Sequence, residues 1–260
     1  RLSLVGSEMC IRDSPSPYTK SPKFQVTSSK AVSLDLLSAA GEVMHQETTV
    51  NANILTEIDL SDSTNFTDGL YDDIKVKVTD HVGHEVIETL NNFIVDTTNP
   101  TIDSVSFSTS TAHSGPITRG DSITAKVYWS DINTLDTSNC DLDFKIANVP
   151  IFNNLTTVTS GLDSDGNYLQ RTMVISNDYS YTNGNITLDI ELVDLANNSK
   201  TSLNVDSGVT LDTTKPELSA VPGGNVPAFT NNPMFSFHST KDGTICLLYT
   251  SDAADDEERV

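Results

Sequence analysis

The stretch most like a ligand loop is Asp163-Ser164-Asp165-Gly166-Asn167. Oxygen-bearing side chains alternate around a glycine, as they do where a calcium loop begins. An EF-hand needs a further acidic ligand at its twelfth position, and counting from Asp163 that position is Val174. The segment is therefore expected to be a β-turn on Asp165-Gly166-Asn167 between Leu162 and Tyr168, with Asp163 and Asp165 as the weaker calcium candidates. His81 and His84 have metal-like spacing but no cysteine or third histidine beside them, so they read as a solvated loop. Cys140 has no histidine placed to activate it as a nucleophile. The chain contains no Gly-xxxx-Gly-Lys phosphate loop and no Gly-x-Ser-x-Gly elbow. Trp129 is the single tryptophan, without an aromatic row for sugar stacking, and reads as a core or edge residue. No catalytic centre and no required cofactor are expected.

Composition narrows the partners. The 260 residues carry 15 Lys+Arg against 36 Asp+Glu, a net charge of -21, and 37% are hydrophobic. Such a chain repels phosphate, which argues against nucleic acid and anionic membrane surfaces and in favour of cations. No run reaches the roughly 18 apolar residues of a membrane span.

Both ends read differently from the rest. Residues Ser3 through Ser14 resemble the translation of a transposase-type (tagmentation) sequencing adapter, and Cys246-Leu247-Leu248-Tyr249-Thr250-Ser251 resembles the reverse complement of the same element. Residues 1–14 and 246–260 are accordingly set aside from fold reasoning. What remains is still acidic and keeps one cysteine, Cys140, so no intramolecular disulfide is expected. The insert reads as a window on a longer gene.

The elements that would position any site come from an internal repeat. Asp96-Thr97-Thr98-Asn99-Pro100 recurs 116 residues later as Asp212-Thr213-Thr214-Lys215-Pro216. Upstream of each copy lies an alternating run ending in Asp, Ile74 to Asp80 and Leu188 to Asp194. Apolar side chains at every second position put one strand face in a core and the other in water. A short polar loop follows each run, then a last strand, Val86 to Val95 and Thr201 to Leu211. Further strands are expected at Phe24–Val26, Ala31–Leu37, Ile102–Phe107, Ser122–Trp129, Leu142–Ile146, Leu155–Val158 and Tyr168–Ile175, with a strand pair opening at Pro227–Phe237. Turn-forming residues separate them, and no apolar stripe of helical period is present. The expected fold is all-β: tandem β-sandwich modules at 15–96 (lacking a first strand) and 97–212, and a truncated start of a third at 213–245.

This pattern resembles bacterial immunoglobulin-like repeats of large secreted and surface-attached adhesin-type proteins. Those repeats carry a Tyr-bearing strand with an Asp at its end, an Ala-Gly-Asn-like turn, and Asp-Thr-Thr-Xaa-Pro into the next domain. The first module matches with Gly69-Leu70-Tyr71, Asp80, Val82-Gly83 and Asp96 to Pro100, and departs with His84 where Asn is usual. The second matches with Gly120-Asp121-Ser122-Ile123-Thr124, Gly184-Asn185, Asp194, Ala196-Asn197-Asn198 and Asp212 to Pro216, with Asn197 where Gly is usual. The third shows Thr230 to Phe237 and Asp242-Gly243-Thr244-Ile245.

The resemblance implies a non-catalytic extracellular stalk or adhesion repeat at a bacterial cell surface. Its partners would be neighbouring repeats of the same chain and a protein or glycan ligand. It also implies calcium at domain junctions, with Asp80 and Asp96 as candidate ligands in the first module and Asp194, Asn197 and Asp212 in the second. The other reading of these residues is that they cap turns by accepting nearby backbone N–H groups. The rival for the whole chain is an accessory or carbohydrate-binding module of a secreted hydrolase.

Overall fold

The computed structural model describes residues 2–3, 9–12, 17–61, 63–111, 115–221 and 236–246. Every regular element among them is a β-strand, and no helix is long and apolar enough to cross a membrane. The chain divides into two compact units, 1–212 and 213–260. Within the first, the buried apolar side chains form two separate clusters, one for each sequence module.

The first module comprises β1 (Leu2–Ser3), β2 (Met9–Arg12), β3 (Tyr18–Thr19), β4 (Lys23–Ser28), β5 (Val32–Leu37), β6 (Val43–Val50), β7 (Thr56–Asp59), β8 (Gly69–Tyr71), β9 (Lys75–Asp80), β10 (Glu85–Thr89) and β11 (Phe93–Val95). They form sheets ordered β1-β2-β4-β7, β10-β9-β5-β6 and β3-β11-β8. The alternation of β9 sets its register. Val76 and Val78 are buried and lie opposite Leu36 and Leu34 of β5, while Lys75 and Lys77 point the other way. Phe24 of β4 lies across from Ile58 of β7, so the facing sheet adds to the same core. β2, from the segment set aside as adapter-like, pairs antiparallel along the outer side of β4.

The expected single strand from Val86 to Val95 is two strands. The Leu90 amide turns back to the Ile74 carbonyl and its side chain is buried. The chain thereby leaves β9 and re-enters beside β8, with Ile94 opposite Leu70.

The second module comprises β12 (Thr101–Thr109), β13 (Ser122–Ser130), β14 (Asp141–Ile146), β15 (Val149–Pro150), β16 (Thr159–Asp163), β17 (Gly166–Val174), β18 (Gly184–Val193) and β19 (Ser199–Leu211). Two four-stranded sheets form, ordered β12-β13-β17-β16 and β15-β14-β18-β19. This is the strand order of an immunoglobulin-type sandwich. Ile123, Ala125 and Val127 of β13 alternate inward from one sheet, and Leu188, Ile190 and Leu192 of β18 do so from the other. Phe144 and Leu142 of β14 lie opposite Leu188 and Ile190. Arg171 of β17 reaches across to β14, donating to Asp141, Asp143 and the Leu142 carbonyl. Of the expected strand Leu155–Val158 only a bridge from Leu155 to Met173 forms. The edge strand comes just after it, as β16.

In the second unit β20 (Leu218–Ala220) pairs antiparallel with β21 (Phe237–Ser239). Most of the strand pair expected to open at Pro227–Phe237 lies outside the described residues.

Two separate cores make a specific prediction. Phe144→Ala removes a fully buried ring from the second and should cost about 3–5 kcal/mol in urea unfolding. Amides of β14 and β18 should exchange faster by hydrogen–deuterium exchange, while those of β5 and β9 keep their protection.

Candidate metal centre

The two alternating runs end in the same turn. In the first module the Asp80 amide donates to the His84 carbonyl at 3.0 Å, and the Gly83 amide to the Asp80 carbonyl at 3.0 Å. In the second the Asp194 amide donates to the Asn198 carbonyl and the Asn197 amide to the Asp194 carbonyl, each at 3.0 Å. The turn needs a left-handed residue before its last position, supplied by Gly83 (φ 90°) and Asn197 (φ 67°). Asn197 thus contributes backbone shape, and its side chain is exposed. The side chain that reaches inward is Asn198, 2% exposed. Its backbone amide donates to Asp194 Oδ1 at 2.7 Å, and its Nδ2 donates to Asp194 Oδ2 at 2.7 Å and to the Asp96 carbonyl at 3.0 Å.

Asp96 is where the linker meets both modules. Its amide donates to the Thr19 carbonyl, and the next residue, Thr97, donates through N–H and Oγ1 to Asp68 of the first module. The Asp96 carboxylate instead faces the second module. Its Oδ1 accepts from Thr98 N–H and Oγ1, and its Oδ2 accepts from Asn133 Nδ2. Asn133 lies on the β13–β14 connection, which also carries Asp131.

Asp96, Asp131 and Asp194 can each offer a carboxylate oxygen such that all three atoms lie within 4.8 Å of one another. Asp96 and Asp194 are 0% and 1% exposed. Among the described residues, no lysine, arginine or histidine forms an ion pair with any of the three. At that separation each pair of like charges repels by roughly 3 kcal/mol even at an effective dielectric of 20. Asp131 Oδ1 accepts from the Ile132 amide. Asp131 Oδ2 and Asn133 Oδ1 are buried and have no hydrogen-bond partner, which is costly for acceptors shut away from water. Burial pushes the Asp131 carboxyl up to about 6, with the charges of Asp96 and Asp194 adding to it. The donor set is all oxygen and carries three negative charges, the type that suits a hard divalent cation.

The fold therefore brings together two of the residues singled out from the sequence, Asp96 and Asp194, and adds Asp131, Asn133 and Asn198. Asp131 directly follows the alternating strand β13, much as Asp80 ends β9 and Asp194 follows β18.

The remaining candidates sit elsewhere. Asp80 accepts from the Val82 and His84 amides at 3.0 and 2.9 Å. Asp212 donates its amide to the Ile117 carbonyl, and its Oδ1 accepts from Asn183 Nδ2. Asp163 closes the β16–β17 hairpin: its carboxylate accepts from Lys126 Nζ, Tyr128 Oη and the Asp165 amide, and the Lys126 bond holds it below the usual carboxylate range. The two-residue loop is Ser164-Asp165, with Gly166 (φ 127°) opening β17. His81 and His84 are exposed. Cys140 is buried, exchanges hydrogen bonds with the Val193 backbone, and has its thiol pushed up by that burial.

No protein family matches the chain, and no curated protein does. Among solved structures it is similar to the complex of Dpr2 Ig1-Ig2 with DIP-Theta Ig1-Ig3, at 11% identity and TM-score 0.26, covering 75% of this chain and 93% of that one. It is also similar to ICOS in complex with ICOS-L and an anti ICOS-L VNAR domain, at 11% identity and TM-score 0.25, covering 71% and 96%.

The Asp131 shift sets a pH window. Its folded pKa is raised, so the metal-free chain binds this proton more tightly when folded and should gain stability as pH falls from 7 to 5. In chelator, Asp131→Asn should raise Tm by several degrees at pH 7.5, by about half as much at pH 5, and little below pH ~4, where the carboxyl is protonated in both states. An equal effect across this range would place the cost on another group.

Proposed function

We propose that this chain is a non-catalytic, extracellular structural repeat of an elongated bacterial surface protein, and that calcium stiffens the junction between its first two modules. The observation that carries the reading is the trio of carboxylates at that junction, beside two buried oxygens with no partner. Asp96, Asp131 and Asp194 would hold the ion, Asn133 Oδ1 would add a neutral oxygen, and water would complete the shell. Calcium accepts six to eight oxygens in flexible geometry, whereas magnesium demands a near-ideal octahedron and keeps more of its water. An irregular set drawn from a linker and two loops favours the larger ion.

The mechanical consequence follows from where the ligands sit. Asp96 is tied to the first module through Thr19, and Thr97 through Asp68. Asp131 and Asp194 belong to loops of the second module. An ion shared among them would fasten the linker to two loops at once, and swivel at the joint would then require breaking metal–oxygen bonds. Pro100, buried and without an N–H, removes further slack. The acidic surface keeps such an array soluble and repels phosphate-rich surfaces.

Calcium at a hundred times its Kd should add about 2.7 kcal/mol, several degrees in Tm. The intrinsic fluorescence of Trp129, near the end of β13 and two residues before Asp131, should change in step. Asp194→Asn should lose both responses. A wild-type melt identical in calcium and in chelator would refute the reading.

A further inference from the structure

Asp80 and Asp194 close the same turn in the two modules, yet the chain completes them with opposite charges. In each module the connection leading into the strand paired with the alternating run passes over the turn. In the second module that connection, β13 to β14, delivers Asp131 and Asn133. In the first, β4 to β5, it delivers Lys30, whose Nζ lies 3.6 Å from Asp80 Oδ2. His84, standing where Asn198 stands, places Nδ1 3.0 Å from the same oxygen. We propose that Lys30 and His84 take the place of a metal ion at Asp80, so that only the Asp194 corner takes a cation and only its joint answers to calcium. This rests on the reading of Asp96, Asp131 and Asp194 as a cation site.

Four observations carry the contrast. Asp80 is almost fully enclosed, its side chain 6% exposed, so its charge needs compensation. Protein donors supply it: two backbone amides on Oδ1, and an imidazole nitrogen and an ammonium at Oδ2. The backbone N–H of His84, chief among them, holds the Asp80 carboxyl well below the usual carboxylate range, the mark of a carboxylate already satisfied. Finally, among the described residues the group of three or more ligand atoms suited to a metal is the Asp96 group, and Asp80 is not in it. A lysine at that place removes the charge deficit that would draw an ion, and its ammonium would repel one.

The two turns offer matched reporters, since the His84 and Asn198 amides donate to the equivalent carboxylate oxygens at 2.9 and 2.7 Å. Hydrogen exchange of the full chain, in calcium and in chelator, should show the Asn198 amide losing tenfold or more of its protection without calcium. The His84 amide should change less than twofold. Lys30→Ala should speed exchange at His84 severalfold in both conditions, and Asp131→Lys should make Asn198 protection independent of calcium. Calorimetric titration with calcium alone should give one ion per chain. Two ions, one of them lost in Asp80→Asn, would overturn the proposal and leave the junction reading standing. His84 protection that follows calcium, or is indifferent to Lys30→Ala, would also overturn it. A chain that binds no ion would overturn both.

Discussion

Three carboxylate oxygens within 4.8 Å of one another, on two buried aspartates and one half-buried one, need a countercharge, and they meet where the two modules join. Asp96 cannot retreat to solvent, because its amide is bonded to Thr19 and its carbonyl to Asn198. Asp194 cannot, because both of its oxygens hold Asn198. Asp131 is carried in by the end of β13, whose inward face is fixed by Ile123, Ala125 and Val127. Each module has its own buried core, and this corner lies between the two. On the calcium reading the corner would set how firmly one core is tied to the other, an ion being the simplest group that satisfies all three charges together.

The same turn at Asp80 shows that the carboxylate itself is not the costly element. There, backbone amides, an imidazole and Lys30 surround one charge. The turn is a backbone motif that any satisfied Asp can close, and the connection above it decides the electrostatics. On the calcium reading, exchanging a basic for an acidic residue on that connection would change a self-sufficient corner into one that draws a cation. A repeat protein could set the stiffness of its joints one at a time in this way.

The sandwich class was legible in the sequence because β9 and β18 alternate cleanly and their repeated Asp-Thr-Thr-Xaa-Pro linkers set the period. Other elements left no such trace. Val43–Val50 is rich in polar residues and Thr159–Asp163 is almost entirely exposed, so periodicity could not mark either as a strand. The break at Leu90 coincides with a change of phase, even positions facing inward in β10 and odd ones in β11, across the polar pair Asn91-Asn92. At the junction, Asp96 and Asp194 stood out from the repeat. Asp131 and Asn133 meet them only through the stacking of sheets, a contact between distant parts of the chain that spacing does not encode. Asn197 and Asn198 are adjacent, and only the positive φ of the first shows which of them turns inward.

The central claim is that a cation at Asp96, Asp131 and Asp194 makes the two modules one rigid body. Residual dipolar couplings of backbone amides in 23–95 and 101–211 test it directly. With calcium the two sets should fit a single alignment tensor, and in chelator they should need two of different magnitude and orientation. Two tensors in both conditions, or one in both, would contradict the account.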